Sequence, residues 1–226
     1  MGDTLKIFEI FKSIQGESSA AGKVCFFIRL AGCDLNCRWC DTPDALPRDS
    51  GNETTLESLV EAALASGAGM VEITGGEPLL QAATPELCRR LLDAGMEVLL
   101  ETNGTEDISI IPPEVRVVMD CKCPSSGAER KTNPANFAEI KTKDELKFAI
   151  LDHGDYRYAS SLIKARGLAD KAGEISFSPV VLPNGEGCDP AELAEWMIRD
   201  NATATLRPQL HKLIWPDGEP KTFLNN

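Results

Sequence analysis

The stretch Val24-Cys25-Phe26-Phe27-Ile28-Arg29-Leu30-Ala31-Gly32-Cys33-Asp34-Leu35-Asn36-Cys37-Arg38-Trp39-Cys40-Asp41-Thr42 decides how this chain is read. Its first seven residues are a β-forming run. Cys33, Cys37 and Cys40 follow at once, spaced C-x-x-x-C-x-x-C. Three thiolates on one short loop suit a 4Fe–4S cluster with one iron left open, because full ligation takes one thiolate per iron. An open iron is a binding position, so the spacing points to chemistry rather than to electron storage. Structural zinc prefers four closed ligands, commonly in paired C-x-x-C units. No second such pair exists here, and neither His153 nor His211 is near the loop in sequence.

Outward from this stretch, strand-like and helical segments alternate. Met70–Thr74, Glu97–Glu101, Val115–Asp120, Glu145–Leu151 and Glu174–Val180 read as further strands. Thr55–Ser66 reads as a helix capped by Thr54 or Thr55, and Thr84–Ala94 as one with Pro85 in its first turn and Gly95 as its stop. Asp155–Arg166, ending at Gly167, and Pro190–Arg199 complete the helices. Leu206–Ile214 reads as extended, and residues 121–140, rich in Pro, Ser, Asn and Lys, as a surface excursion. Such alternation means parallel strands joined by crossover helices. The strands are too few for a closed eight-stranded barrel. The expected fold is α/β, a partial (open) βα barrel of about six parallel strands, with its site at the C-terminal strand ends. The cysteine loop falls there, with Gly75-Gly76-Glu77-Pro78, Asn103-Gly104 and Asp120-Cys121-Lys122. No repeat or linker divides the 226 residues, so 1–226 reads as one domain.

The formal charge of −12 argues against nucleic acid, which calls for clustered Lys and Arg. No run of about 18 apolar residues predicts a membrane span. Met1-Gly2-Asp3-Thr4-Leu5-Lys6 lacks a signal peptide's pattern, so the expected location is cytoplasmic. The eight cysteines are not spaced like a secreted disulfide scaffold. Cys25 and Cys88 read as small buried apolar residues, and the Cys121-x-Cys123 pair as structural. Lys12, Lys23, Arg38 and Arg48 are candidates for the local positive charge that an acidic electron carrier would seek.

Thr74-Gly75-Gly76-Glu77-Pro78 comes directly after a strand. Its glycines permit positive φ and close approach of backbone to a ligand, and the carboxylate beside them suits an ammonium group. Alone this is an ordinary βα turn; one strand after the cysteine motif it is more. Together the two motifs resemble the radical S-adenosylmethionine superfamily. The resemblance implies a radical-SAM domain with short N-terminal and C-terminal extensions. It also implies a 4Fe–4S cluster whose open iron chelates the amino and carboxylate groups of S-adenosylmethionine. One-electron cleavage then gives a 5′-deoxyadenosyl radical, which an enclosing barrel shields from water.

Further segments narrow the resemblance: Ser13-Ile14-Gln15-Gly16-Glu17, Cys40-Asp41-Thr42, Leu100-Glu101-Thr102-Asn103-Gly104-Thr105 and Gln209-Leu210-His211-Lys212. From about Glu9 to Trp215 the chain is similar to the 7-carboxy-7-deazaguanine synthase family of queuosine precursor biosynthesis. That family turns 6-carboxy-5,6,7,8-tetrahydropterin into 7-carboxy-7-deazaguanine with loss of ammonia, assisted by Mg²⁺. The resemblance also implies a homodimer and a reductant such as a flavodoxin or ferredoxin.

Position by position, the resemblance makes Cys33, Cys37 and Cys40 the cluster ligands and Thr42 the Mg²⁺ ligand. Without it, Thr42 would read as a helix cap before Pro43. Ile14, Gln15 and Gly16 match the pterin-contacting segment, Arg29 a substrate-carboxylate contact and Thr74 another substrate contact. Arg29 also has an ordinary reading as a salt-bridged arginine at a strand end. Trp39, Asp41, Gly76 and Glu77 match S-adenosylmethionine positions, with Glu77 against the methionine amine. Asp120, Cys121 and Lys122 stand where the family has a Ser-Pro-Lys-like segment, of which only the lysine is kept. Ser178, Pro179, Val180 and Val181 match the segment packing on adenosine, with Ser178 replacing an amide residue. Glu17 and His211 are candidates for the pocket wall. In some family members the chain ends near the position of Pro216 and its carboxylate reaches substrate; here Asp217 or Glu219 is the expected substitute. The competing readings are a glycyl-radical-enzyme activating enzyme and, outside enzymes, a zinc or electron-transfer module.

Overall fold

The computed structural model describes residues 3–182 and 186–216; Asp217 and Glu219 lie outside the described residues. In chain order the strands are β1 (Thr4–Ile14), β2 (Val24–Leu30), β3 (Asn52–Thr55), β4 (Met70–Gly75), β5 (Glu97–Thr102), β6 (Arg116–Asp120), β7 (Glu145–Ile150), β8 (Glu174–Pro179) and β9 (Thr205–Leu206). The helices are α1 (Leu56–Ala65), α2 (Thr84–Asp93), α3 (Asn136–Glu139), α4 (His153–Arg166), α5 (Pro190–Asp200) and α6 (Leu210–Ile214). All the strands join one open sheet in the order β3-β1-β2-β4-β5-β6-β7-β8-β9. From β2 to β9 every pairing is parallel, and β1 lies antiparallel to both β2 and β3. The six expected parallel strands are therefore present, extended by short β9 and by an antiparallel pair at the other edge.

The strands alternate between two environments, as the two-residue period requires. Phe26, Ile28, Leu30, Val71, Ile73, Val98, Leu100, Leu146 and Phe148 share one core with helix residues such as Leu59, Leu87, Leu91, Tyr156 and Ile163. Thr55 caps α1, its side chain accepting from the Ser58 N–H, and Gly167 ends α4 in the left-handed region, both as predicted. The opposite face carries Phe27, Arg29, Glu72, Thr74, Leu99, Glu101, Val118, Asp120, Glu145, Lys147, Ser176 and Ser178, aligned across the ladder by register. Toward the N-terminal strand ends a smaller cluster of Phe11, Ala20, Cys25, Phe27, Met70 and Leu99 closes this face. Above it the wall is polar.

Two expectations are corrected, and one element is added that the sequence did not show. The N-terminal extension is an 11-residue strand. Its period hides it: a bulge between Ile7 and Glu9 reverses the alternation, so Leu5 and Ile7 join the helix-side core while Phe11 joins the opposite cluster. Leu206–Ile214 is not extended throughout, because α6 begins at Leu210. Residues 121–140 are no mere surface excursion: Cys121, Cys123, Ser126, Asn136 and Phe137 are buried. Asn136 ties that segment down, its Nδ2 donating to the carbonyls of Gly104 (3.0 Å) and Glu106 (2.8 Å).

Candidate active site

The cysteine loop leaves the C-terminal end of β2 and is pinned by its own backbone. Gly32 N–H donates to Ala45 O (2.8 Å) and Cys33 N–H to Leu46 O (3.0 Å). Cys33, Cys37 and Cys40 are free thiols, partly buried. Burial pushes all three up, and Lys122 opposes this at each. Leu35 N–H donates to Cys33 Sγ (3.4 Å), and Asn103 Nδ2 lies 3.8 Å from the same sulfur. N–H donors aimed at sulfur, with a buried cation nearby, are what cluster thiolates call for. Among the described residues, no three His, Cys, Asp or Glu side chains gather as a site for a metal ion. A cluster, taking one thiolate per iron, sets its ligands apart. The loop fits the cluster.

Gly75 and Gly76 are dictated by close approach. Gly75 sits at φ 134°, where a Cβ would fall 2.2 Å from Leu30 O. A Cβ on Gly76 would lie 2.1 Å from Gly32 O and 2.9 Å from Cys33 N, so the glycine loop rests directly on the cysteine loop. Glu77 is fully buried. Its carboxylate accepts from Leu79 N–H (3.0 Å), Thr102 Oγ1 (2.9 Å) and Asn103 N–H (2.7 Å). Burial nonetheless raises its pKa to about 7. The side chain expected to meet an amine is turned into the fold and braces the ends of β4 and β5.

The segment after β6 braces the other side of the loop. Lys122 pairs with Asp120 (2.6 Å) and places its ammonium 5.5 Å from the Trp39 ring centroid. Trp39 Nε1 donates to Ser125 Oγ (3.2 Å), and Arg38 N–H to Ser126 O (3.2 Å). Ser125 in turn donates through N–H (3.0 Å) and Oγ to buried Asp155 in the first turn of α4. Cys121, by contrast, belongs to the helix-side core with Cys123, so its side chain does not face the site. Its N–H donates to Lys147 O (2.7 Å).

Arg29 and Thr42 meet just beyond Cys40. Arg29 Nη1 donates to Thr42 Oγ1 (3.2 Å) and Nε to Glu9 Oε1 (2.8 Å). Thr42 Oγ1 donates to Asp41 Oδ1 (3.1 Å). Thr74 stands beside Arg29 in register. The ordinary reading of Arg29 as a salt-bridged arginine at a strand end is what the contacts show, with one guanidinium nitrogen also turned to Thr42.

Below these groups lies a buried charge network. Lys147 Nζ meets Glu17 Oε2 (2.6 Å), Glu101 Oε1, and Asp120 Oδ2 at 3.9 Å. Burial works against the charge on Glu17, but the Lys147 ammonium and hydrogen bonds from Lys147 and Gln209 outweigh it and hold Glu17 at about 2. Burial, then the Glu101 charge, drives Glu72 well above the carboxylate range. Gln15, only 4% exposed, spends its amide inside the protein: Nε2 donates to Glu72 Oε2, and Oε1 accepts from Glu17 N–H. It holds the loop rather than presenting its amide to a ring. Leu210 N–H donates to Gly16 O (2.8 Å), and a Cβ on Gly16 would strike His211 Nδ1 at 2.1 Å, so the C-terminal segment closes over residues 14–17. Asp120 Oδ1 is buried with no hydrogen-bond partner, which leaves an unused acceptor beside Lys122.

Most of the predicted residues therefore gather at one end of the sheet. Ser178 and Pro179 are buried at the end of β8, Val180 follows half-buried, and Val181 is 49% exposed beside its bridge to Gly187. Sequence reading missed Glu101, Glu72, Lys147, Ser125 and Asp155. For the first three a signal existed: a charge with apolar neighbours inside a β-forming run, as in Met70-Val71-Glu72-Ile73 and Leu146-Lys147-Phe148.

An iron-sulfur loop on an open parallel barrel defines a radical S-adenosylmethionine protein, and the profile described as Radical SAM superfamily matches residues 27–119. The chain is 43% identical to the 7-carboxy-7-deazaguanine synthase of Chlorobaculum tepidum, over 94% of this chain and 96% of that protein. It is 36% identical to that of Koribacter versatilis, over 93% and 97%. A crystal structure of QueE from Escherichia coli superposes with a TM-score of 0.74 at 25% identity, covering 92% of this chain and 95% of that one. The chain belongs to the 7-carboxy-7-deazaguanine synthase family and is a radical SAM lyase using a 4Fe–4S cluster and S-adenosylmethionine. These matches do not favour the activating-enzyme reading or the zinc or electron-transfer reading. No helix among the described residues is long and apolar enough to cross a membrane.

Proposed function

We propose that the chain converts 6-carboxy-5,6,7,8-tetrahydropterin to 7-carboxy-7-deazaguanine with loss of ammonia, as a step of queuosine and 7-deazapurine biosynthesis. The observation that carries this reading is the Arg29–Thr42 pair beyond Cys40, on a chain that matches synthases nearly end to end. A planar guanidinium takes a carboxylate by two parallel hydrogen bonds. The Thr42 hydroxyl is a hard oxygen donor that would hold Mg²⁺, with the substrate carboxylate and water as its further oxygen donors.

Cys33, Cys37 and Cys40 would hold the cluster, which when bound supplies the single electron that opens the sulfonium of S-adenosylmethionine. This chain's other residues bind, orient and exclude water. Trp39, Asp41, Gly76, Asp120 and Lys122 line the S-adenosylmethionine side, with Ser178, Pro179, Val180 and Val181 toward adenosine. Cys121 contributes only backbone there, and Glu77 braces the loop whose backbone meets the methionine amine. Ile14, Gly16, Arg29, Thr74 and His211 form the substrate side, with Gln15 fixing their loop. Glu17 and Glu101 add acceptor oxygens for the N–H-rich edge of a pterin. A single radical-SAM domain working in the cytoplasm as a homodimer, reduced by a flavodoxin- or ferredoxin-like carrier, completes the reading.

The test is anaerobic reconstitution followed by incubation with a reductant, S-adenosylmethionine and the carboxytetrahydropterin. The expected result is ring-contracted product with one ammonia released for each. Mg²⁺ should stimulate the wild type and not Thr42→Val. Cleavage of S-adenosylmethionine with the pterin left unchanged would sink the reading.

A further inference from the structure

Lys147 touches neither the cysteine loop nor the Arg29–Thr42 pair, yet it is the centre of the buried network. Its side chain is 10% exposed. It ties Glu17, on the loop after β1, to Glu101 on β5 and Asp120 on β6, two neighbouring strands of the sheet. Glu17 Oε1 continues the chain to Gln209 Nε2 (2.6 Å), just ahead of α6. The charged and titratable groups gathered around it are Glu17, Glu72, Glu101, Asp120, Lys122 and His211. Carboxylates outnumber cations here. Remove the ammonium, and Glu17 and Glu101 are buried like charges with nothing to hold them near one another. The segment from Ile14 to Glu17 would then keep its backbone ties to Gly22, Lys23 and Leu210 and the Ile14–Val24 pairing, with the Gln15–Glu72 bond and Gln209, but no cation on its carboxylate.

We propose that Lys147 is a positioning residue for substrate recognition: it fixes the Glu17 and Glu101 carboxylates as a paired acceptor on the polar face of the sheet, set to receive the N–H donors along one edge of a heterocycle. This rests on the pterin reading above. The Lys147 ammonium reaches the S-adenosylmethionine side through Asp120, at 3.9 Å, and Asp120 keeps its own 2.6 Å partner in Lys122; the other link, from Cys121 N–H to Lys147 O, is backbone and survives a side-chain substitution. Its loss therefore separates the two ligands.

The experiment measures, on reconstituted enzyme, the affinity for the carboxytetrahydropterin and for S-adenosylmethionine in wild type, Lys147→Met and Lys147→Gln. Removing a charge-assisted hydrogen-bond anchor predicts that the Met variant binds the pterin about tenfold or more weakly, with S-adenosylmethionine affinity and the cluster's electron paramagnetic resonance signal unchanged. The Gln variant, which retains an N–H donor, is expected to fall between, and it carries the test should Lys147→Met not fold. Wild-type pterin affinity in a folded variant overturns the proposal, as does an equal loss for both ligands. A wild-type enzyme that binds S-adenosylmethionine but not the pterin overturns the functional reading itself, and is seen before any variant is made.

Discussion

Gly76 shows how little room a single residue has at this site. Its Cα lies so close to the cysteine loop that even a methyl group must displace Gly32 or Cys33, whose backbone the added Cβ would meet at 2.1 Å and 2.9 Å. Neither neighbour can yield easily, since Gly32 and Cys33 are hydrogen-bonded to Ala45 and Leu46. Overpacking of this kind costs about 1–3 kcal/mol. Gly76→Ala is therefore expected to fold, by far-ultraviolet circular dichroism, but to retain clearly less iron per chain after anaerobic reconstitution. Wild-type iron content would show that the cysteine loop does not depend on this contact. Glu77, one residue on, carries the complementary role: its three donors draw β4, β5 and the Asn103 turn onto the same point.

At the scale of elements, the cysteine loop hangs between β2 and the start of α4. The outer anchor is a relay from Asp155 to Ser125 to the Trp39 indole. Asp155 also accepts the Leu151 N–H at 3.0 Å, so one buried carboxylate joins the end of β7, the turn after β6 and the loop. Asp155→Ala leaves these donors without their acceptor. Orphaned buried donors cost about 1–3 kcal/mol each. The expected outcome is a lower urea midpoint for the apo-protein and faster iron loss to a chelator from the loaded one. Ser125→Ala, which cuts only the indole arm, should speed iron loss with a smaller change in midpoint. If both variants kept wild-type iron retention, the relay would have no bearing on the loop.

For the whole molecule, the −12 charge is not spread evenly in consequence, because part of the acidity is buried around Lys147 and Lys122. Glu17 sits at about 2 when folded against an ordinary value of 4.5. A carboxylate depressed in the folded state contributes stability that is present above its unfolded pKa and lost as pH falls through the folded one. Stability of the apo-protein should therefore decline from about pH 4.5 toward pH 2 through this group. Glu17→Gln should be less stable than wild type at pH 6, with the gap narrowing below pH 4. Urea midpoints at a series of pH values check this; a constant gap would mean that Glu17 does not titrate against Lys147.

The sequence by itself determined the chemistry that is local in the chain. The spacing of Cys33, Cys37 and Cys40, the paired glycines, the capping Thr55 and the left-handed Gly167 all act within a few bonds of one another, so covalent geometry carries them. It also determined the six parallel strands, since a buried strand needs an unbroken β-forming run on a parallel sheet. Only the tertiary structure decided which charges meet. Glu17 and Lys147 are 130 residues apart, and Glu101 and Lys147 are 46. Their contact depends on sheet register and on the closing of a terminal segment, neither of which a local pattern encodes. The bulge in β1 makes the same point at the edge of the sheet: one irregular residue reversed which side chains face the core, and the strand was hidden until its partners β2 and β3 were in place. Burial then turned Gln15 and Glu77 inward as braces, because in a closed fold a polar group satisfies its nearest buried partner before any ligand arrives.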